Sequence, residues 1–141
     1  MTYSNAFNAM KNNIRIVARG RFPSSSLQEI IIGPEGNGKY VFREQQMRDG
    51  KETWKFSLNK KSLAKIDEAI AKHKFFGLSS HDSLAMDGDQ VAMVVTQGKK
   101  KHQVVLTNCR LPAFNKIIQA INQQLPKAYR VSYNDLIYKF H

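Results

Sequence analysis

The sequence predicts a single α+β domain: a mostly antiparallel sheet of about six strands with two helices packed on one face. Apolar residues alternate with period two in the first half of the chain, change to helical spacing near residue 60, and repeat that change once more. Strands that follow one another in runs, with few helices between them, are typical of antiparallel sheets. A chain of 141 residues with 42% hydrophobic residues has the size and composition of one folded domain.

Four predicted strands open the chain, and they cover residues 14–19, 27–32, 40–46 and 53–58. Asp49-Gly50 marks the hairpin turn before the fourth of them. Counting with period two, Trp54 and Phe56 point towards the core and Lys55 points away from it. The fourth strand is therefore expected to have one buried face and one exposed face.

The first predicted helix begins at Asn59 or Ser57 and ends at Gly77. Residues 79–90 are then predicted to be a loop, followed by strands at 91–96 and 102–107 on either side of a turn. The strand at 91–96 is apolar on both faces, so we expect it inside the sheet. Pro112 opens the second helix and Pro126 ends it.

The two ends of the chain differ in character. Residues 1–13 are expected to be a flexible N-terminus, in which Ser4, Asn5 and Ala6 are typical of the remnant of a cleaved expression tag. Residues 14–141 form the predicted domain, and its tail at 127–141 is too apolar for a solvated linker. We expect the tail to pack on the domain or on a second copy, which would make a homo-oligomer. The sequence leaves the compartment open between the cytoplasm and the bacterial periplasm or envelope.

Charge is the unusual feature of the composition. Lys and Arg number 22 against 11 Asp and Glu, a formal net charge of +11. One simple interpretation is solvation, which fits Lys61, Lys65 and Lys72 on the outside of the first helix. The alternative is a site for nucleic acid or another polyanion. Its candidate residues lie on the outer face of the early strands and in the turn after residue 98, namely Arg15, Arg19, Arg43, Lys55, Lys99, Lys100 and Lys101.

Residues 33–39 have the spacing G-x-x-x-x-G-K of a phosphate-binding P-loop. The context does not match. Tyr40 stands where the motif needs a small hydroxyl for Mg²⁺, and the residues that follow indicate a strand where a helix is required. We therefore interpret Gly33 to Lys39 as a hairpin turn and expect no enzymatic activity from it.

Candidate metal ligands are few. His81, Asp82, Asp87 and Asp89 share the predicted loop, and carboxylates with a histidine can hold a divalent cation. The same residues are common turn formers, and this second interpretation is favoured. Cys109 is the one cysteine, so there is no internal disulfide, and nothing in the sequence sets a base beside its thiol. No cofactor is expected, and no apolar run is long enough to span a membrane.

Residues 56–70 and 73–78 carry a resemblance to known proteins. They resemble a group of small bacterial α+β domains, mostly uncharacterised, some of them exported or lipid-anchored. The architecture over residues 14–125 is similar to that of emfourin, a protein inhibitor of thermolysin-like metalloproteases. The resemblance implies a non-enzymatic bacterial domain, and no segment of this chain matches an inhibitory segment.

The sequence thus predicts a non-catalytic binding or interaction module. A basic module for nucleic acid or another polyanion is the first alternative. An exported inhibitor or envelope module is the second.

Overall fold

A computed structural model of the chain describes residues 11–20, 26–44, 51–83 and 89–132. Seven strands form one sheet in the order β4-β3-β2-β1-β6-β7-β5. Their bounds are β1 Asn12–Arg19, β2 Ser26–Ile32, β3 Asn37–Glu44, β4 Lys51–Ser57, β5 His81–Asp82, β6 Gln90–Gln97 and β7 Lys100–Thr107. The predicted α+β class and the mostly antiparallel sheet are confirmed.

The strand count differs from the prediction by one. All neighbouring strands are antiparallel except β5, which runs parallel to β7. Strand β5 has only two residues, His81 and Asp82, and lies in the segment predicted to be a loop. So short a strand has no alternation of apolar and polar residues, and this is why the sequence pattern missed it.

The first helix, α1, covers Lys60–Lys72 and is shorter than predicted. The Asn59 side chain accepts a hydrogen bond of 2.8 Å from the backbone N–H of Ser62, which confirms one of the two predicted caps. The helix does not continue to Gly77. Lys74 takes a left-handed backbone conformation with φ 53°, and a separate 3-10 helix, Phe75–Gly77, follows.

The second helix, α2, covers Pro112–Gln124, with the predicted proline in its first turn. Both helices contribute buried side chains to one core together with one face of the sheet. The core residues include Ile14, Ile16, Ile30, Ile32, Met93, Val95 and Leu106 from strands and Ile66, Ile70, Phe114, Ile117, Ile118 and Ile121 from helices. Both helices therefore lie on the same face, and the opposite face of the sheet carries no helix of the described chain.

The beginning of the C-terminal tail lies against the helix side of the sheet. Tyr129 belongs to the 3-10 helix Lys127–Tyr129, and its ring centroid is 5.2 Å from that of Tyr40 and 5.8 Å from that of Phe56. Val131 is buried and exchanges two hydrogen bonds with the Asn122 side chain. Residues 133–141 lie outside the described residues.

Trp54 is on the predicted side of β4 but is not buried. It faces the helix side of the sheet beside Tyr40 and Tyr129, and 37% of the residue remains exposed. The cause is the position of β4 at the edge of the sheet, where, among the described strands, it has a neighbour on only one side. Period-two counting gives the direction of a side chain, whereas burial also depends on what covers it.

Candidate functional site

The open face of the sheet brings together cations from β1, β3 and β4, which are three of the four neighbouring strands β4-β3-β2-β1. The register places Arg15 next to Ile31 on β2, Ile31 next to Lys39 on β3, and Lys39 next to Lys55 on β4. A second row, four residues along each of β1, β2 and β3, sets Arg19 beside Leu27 and Leu27 beside Arg43. We call this surface the basic face, and its exposed cations are Arg15, Arg19, Lys39, Arg43 and Lys55.

Aliphatic side chains separate these cations. Val17, Leu27 and Ile31 are half-buried on the basic face, and Val41 is only 3% exposed there. Glu29 is the one carboxylate that the described residues of β1 to β3 place on this face. It accepts a hydrogen bond of 2.5 Å from Nε of Arg15. The basic face is thus a mixed surface of aliphatic and positively charged groups.

Lys39 was not among the polyanion-binding candidates from the sequence. The sequence pattern places it in the loop that resembles a P-loop, whereas the structure places it in β3 directly opposite Lys55. Two like charges that face each other across an antiparallel pair destabilise a sheet. The alternation of Lys39 with the core residue Tyr40 was the signal that could have placed it on this face. A sheet that keeps such a pair breaks a local rule, and such breaks are expected at functional sites.

The lysine turn between β6 and β7 does not act as one patch. Lys101 lies opposite Thr96 on the open face, two strands from β1 and so about 10 Å across the sheet from it. Lys100 points the other way, and its Nζ lies 4.4 Å from the centre of the Phe76 ring. Lys99 is exposed in the turn itself. Of the three predicted residues, Lys101 alone shares a face with the arginines.

The segment that resembles a P-loop is the turn of the β2–β3 hairpin. The N–H of Gly36 donates to the carbonyl of Gly33, and the N–H of Gly33 donates to the carbonyl of Asn37. These amides are therefore engaged within the turn, whereas a P-loop directs its amides at a phosphate. Gly36 has φ 96°, and a Cβ on it would lie 2.1 Å from the Leu58 carbonyl oxygen. The glycines serve the hairpin and its packing against the end of β4.

The candidate metal ligands are divided among different structural roles. His81 and Asp82 form β5, and Asp87 lies outside the described residues. Asp89 forms an ion pair with Arg110, which is only 2% exposed and also donates to the carbonyl of Cys109. Within the four described ranges, no three His, Cys, Asp or Glu residues come together as a metal site would require.

The Cys109 thiol has the environment of a structural residue. It is buried, and its Sγ donates to the backbone carbonyl of His81 at 3.4 Å. Burial raises the pKa of this thiol, and a backbone hydrogen bond with Thr107 and the nearby Arg110 charge oppose part of the increase. A raised pKa disfavours the thiolate, which is the nucleophilic form.

A partly buried polar cluster that the sequence pattern does not predict joins α1 to the sheet. The Asn12 amide donates to Oδ1 of Asp67 at 2.8 Å, and its carbonyl oxygen accepts from Gln97 at 3.1 Å. Burial raises the pKa of the Asp67 carboxyl, and the hydrogen bond from Asn12 opposes part of that increase. All three side chains are used within the cluster, and it holds β1, β6 and α1 together at one end.

No protein-family model matches this chain, and no characterised protein matches it significantly. The resemblance to emfourin-like bacterial domains stays a prediction. No helix in the described part of the chain combines the length and the apolar character needed to cross a membrane.

Proposed function

We propose that this protein is a non-catalytic binding module that holds an acidic protein partner on the basic face. One observation carries the proposal: strands β1, β3 and β4 direct five exposed cations to the one face of the sheet that the helices leave open. The cations are spread over a surface two rows deep, which suits an extended area of negative charge on the partner.

The composition of the face favours a protein over a nucleic acid. Proteins that bind single strands present aromatic side chains on which bases stack. The described side chains of β1 to β4 on the basic face are aliphatic, polar or charged, and the aromatic residues Tyr40, Trp54 and Phe56 all lie on the opposite side. Aliphatic groups between arginines instead fit a partner with apolar side chains and carboxylates.

Paired charge variants test the proposal. Arg19→Gln, Arg43→Gln and Lys55→Gln together remove three charges from the basic face. The probe is a glutamate-rich peptide at about 50 mM salt, where charge contacts are strong. We expect the triple variant to bind at least about tenfold more weakly than the unchanged protein, since each contact is between opposite charges.

The matched control removes the same charge from a different surface. Lys61→Gln, Lys65→Gln and Lys72→Gln neutralise the exposed side of α1. The control should bind the glutamate-rich peptide as the unchanged protein does. Equal loss in both triple variants would show that net charge alone attracts the peptide and would overturn the proposal. Tighter binding of a single-stranded DNA of the same charge would overturn the choice of a protein partner.

A further inference from the structure

In the part of the chain that the structure describes, strand β4 forms the long free edge of the sheet. It is the outermost strand on one side, and the two-residue β5 is outermost on the other. Within the four ranges that the structure describes, no strand pairs with the outer side of β4. An edge of this kind offers unpaired backbone groups to which an extended segment of another protein can add.

The hydrogen-bond pattern identifies the backbone groups that face the free edge. The N–H of Leu58 donates to the carbonyl of Gly36 at 2.9 Å, one step beyond the Asn37–Ser57 pair. Hydrogen-bonded pairs alternate along an antiparallel ladder, so Phe56 and Trp54 bond to β3. The backbone groups of Thr53, Lys55 and Ser57 consequently point outwards.

The two sides of β4 differ in chemistry. On the helix side lie the exposed indole of Trp54 and the half-buried Phe56, both packed against Tyr129. On the other side lies Lys55, next to Lys39 on the basic face. Side chains of an added strand would alternate between these two surroundings.

We propose that β4 binds an extended segment of the partner in which acidic and apolar residues alternate. A carboxylate directly opposite Lys55 would neighbour Lys55 on the side away from Lys39, and its negative charge would offset part of the repulsion between these two lysines. The neighbouring apolar side chain would pack beside Trp54, in the closer spacing of a pair without hydrogen bonds. The negative sign of the segment rests on the proposed function, whereas the use of the edge rests on the β4 backbone.

Charge argues against a second copy of this chain at the same edge. Antiparallel pairing of two β4 strands would bring the Lys39–Lys55 pairs of both copies onto one face. Like charges so placed destabilise a sheet. An acidic segment would reduce the repulsion between lysines at this edge, whereas a second copy would add to it.

The test uses a blocked synthetic peptide of about nine residues in which glutamate and valine alternate, long enough to span a typical strand. Trp54 is the only tryptophan of the chain, so its fluorescence reports binding at this edge. We expect a saturable fluorescence change with this peptide and at least about tenfold weaker binding of a lysine–valine peptide, whose charges are reversed.

A backbone variant and its control test the use of the edge. Thr53→Pro removes an N–H that points away from β3, so the β3–β4 ladder keeps its bonds. Thr53→Val retains the N–H. We expect Thr53→Pro to weaken binding of the glutamate–valine peptide at least about tenfold and Thr53→Val to leave it unchanged. A second test leaves the protein unchanged and uses a peptide N-methylated at its glutamates, whose backbone cannot donate to β4 at these positions. We expect this peptide not to bind.

Each contrary outcome overturns a different claim. If the N-methylated peptide binds as well as the parent peptide, strand addition is wrong. The proposed function of the basic face still stands in that case, as long as the two triple charge variants differ in their binding of the glutamate-rich peptide. If the lysine–valine peptide binds equally well, the acidic partner is wrong. If the chain forms dimers that Thr53→Pro disrupts, the occupant of the edge is a second copy.

Discussion

At the scale of single residues, the β2–β3 hairpin shows that a segment can match the spacing of a nucleotide-binding motif although its glycines are required by the turn and its packing. Gly36 is needed for its positive φ and for its close approach to Leu58, and Gly38 leaves room for the Phe56 ring. Both close contacts are with residues at or just after the end of β4, which the sequence places more than a dozen residues later. Spacing alone does not distinguish glycines that packing requires from glycines that phosphate binding requires.

Gly36→Ala should destabilise the fold much more than Gly98→Ala. Both glycines have positive φ, but a Cβ at Gly98 meets nothing within 4 Å. We expect Gly98→Ala to lower the free energy of unfolding by about 1 kcal/mol, from backbone strain alone. Gly36→Ala adds a clash with backbone and should cost about 3 kcal/mol. Urea denaturation measures both, and equal losses would contradict the packing described for the hairpin.

Asp67 should make stability depend on pH in a defined direction. Because burial raises its pKa in the folded protein, the unfolded chain loses this proton at lower pH. The contribution of Asp67 to the free energy of unfolding is therefore largest below the ordinary aspartate pKa. It is lost as the pH rises through the pKa that Asp67 has in the folded protein. Asp67→Asn should therefore be more stable than the unchanged protein at pH 7, while it can still accept from Asn12.

The difference between the Asp67→Asn protein and the unchanged protein should disappear at about pH 3, where the aspartate is protonated in both states. Denaturant titrations across this range measure it. Glu68→Gln removes an exposed carboxylate on the same helix and controls for the change in net charge. A loss of stability in Asp67→Asn at pH 7 would show that the hydrogen bond from Asn12 needs the ionised carboxylate.

At the scale of elements, the ion pair of Arg110 with Asp89 connects the segment before α2 to the start of β6. The arginine is almost fully buried. Arg110→Met should destabilise the protein by about 3–5 kcal/mol, because it leaves a carboxylate without its buried partner. Arg19→Met removes an exposed arginine and should change stability by less than about 0.5 kcal/mol. Thermal or urea unfolding distinguishes the two, and similar values would contradict a structural role for Arg110.

Tyr129 holds the first part of the tail on the sheet through its contacts with Tyr40, Trp54 and Phe56. Tyr129→Ala should lower the free energy of unfolding by about 2–3 kcal/mol, less than for a fully buried aromatic residue. The fluorescence of Trp54 should change as well, because one wall of its surroundings is lost. Tyr129→Phe should preserve both properties. An unchanged unfolding curve for Tyr129→Ala would mean that this contact does not hold the tail in solution.

Most elements could be predicted from the sequence because each has a local signal. Asn59 is a cap with its hydrogen bond three residues away, and Pro112 suits a first helical turn. The errors have non-local causes. The end of α1 depends on burying Phe75, and β5 exists through its pairing with β7. Neither cause is visible in the segment concerned.

At the scale of the whole molecule, the sequence could predict which face of each strand carries the cations but not how the strands are ordered. Period-two counting put Arg15, Arg19, Arg43 and Lys55 outside. The register then brings them into two rows, adds Lys39, and leaves Lys100 on the other side. Pairing between strands is a long-range property, and it turns a general excess of positive charge into a located surface.

An amide NMR titration of the unchanged protein with the glutamate-rich peptide tests directly whether the basic face binds an acidic partner. We expect the amides of Arg15, Lys39, Arg43 and Lys55 to shift together and saturably, while those on the exposed side of α1 stay in place. Shifts concentrated on Lys61 and Lys65, or no saturable shift on the basic face, would contradict this expectation.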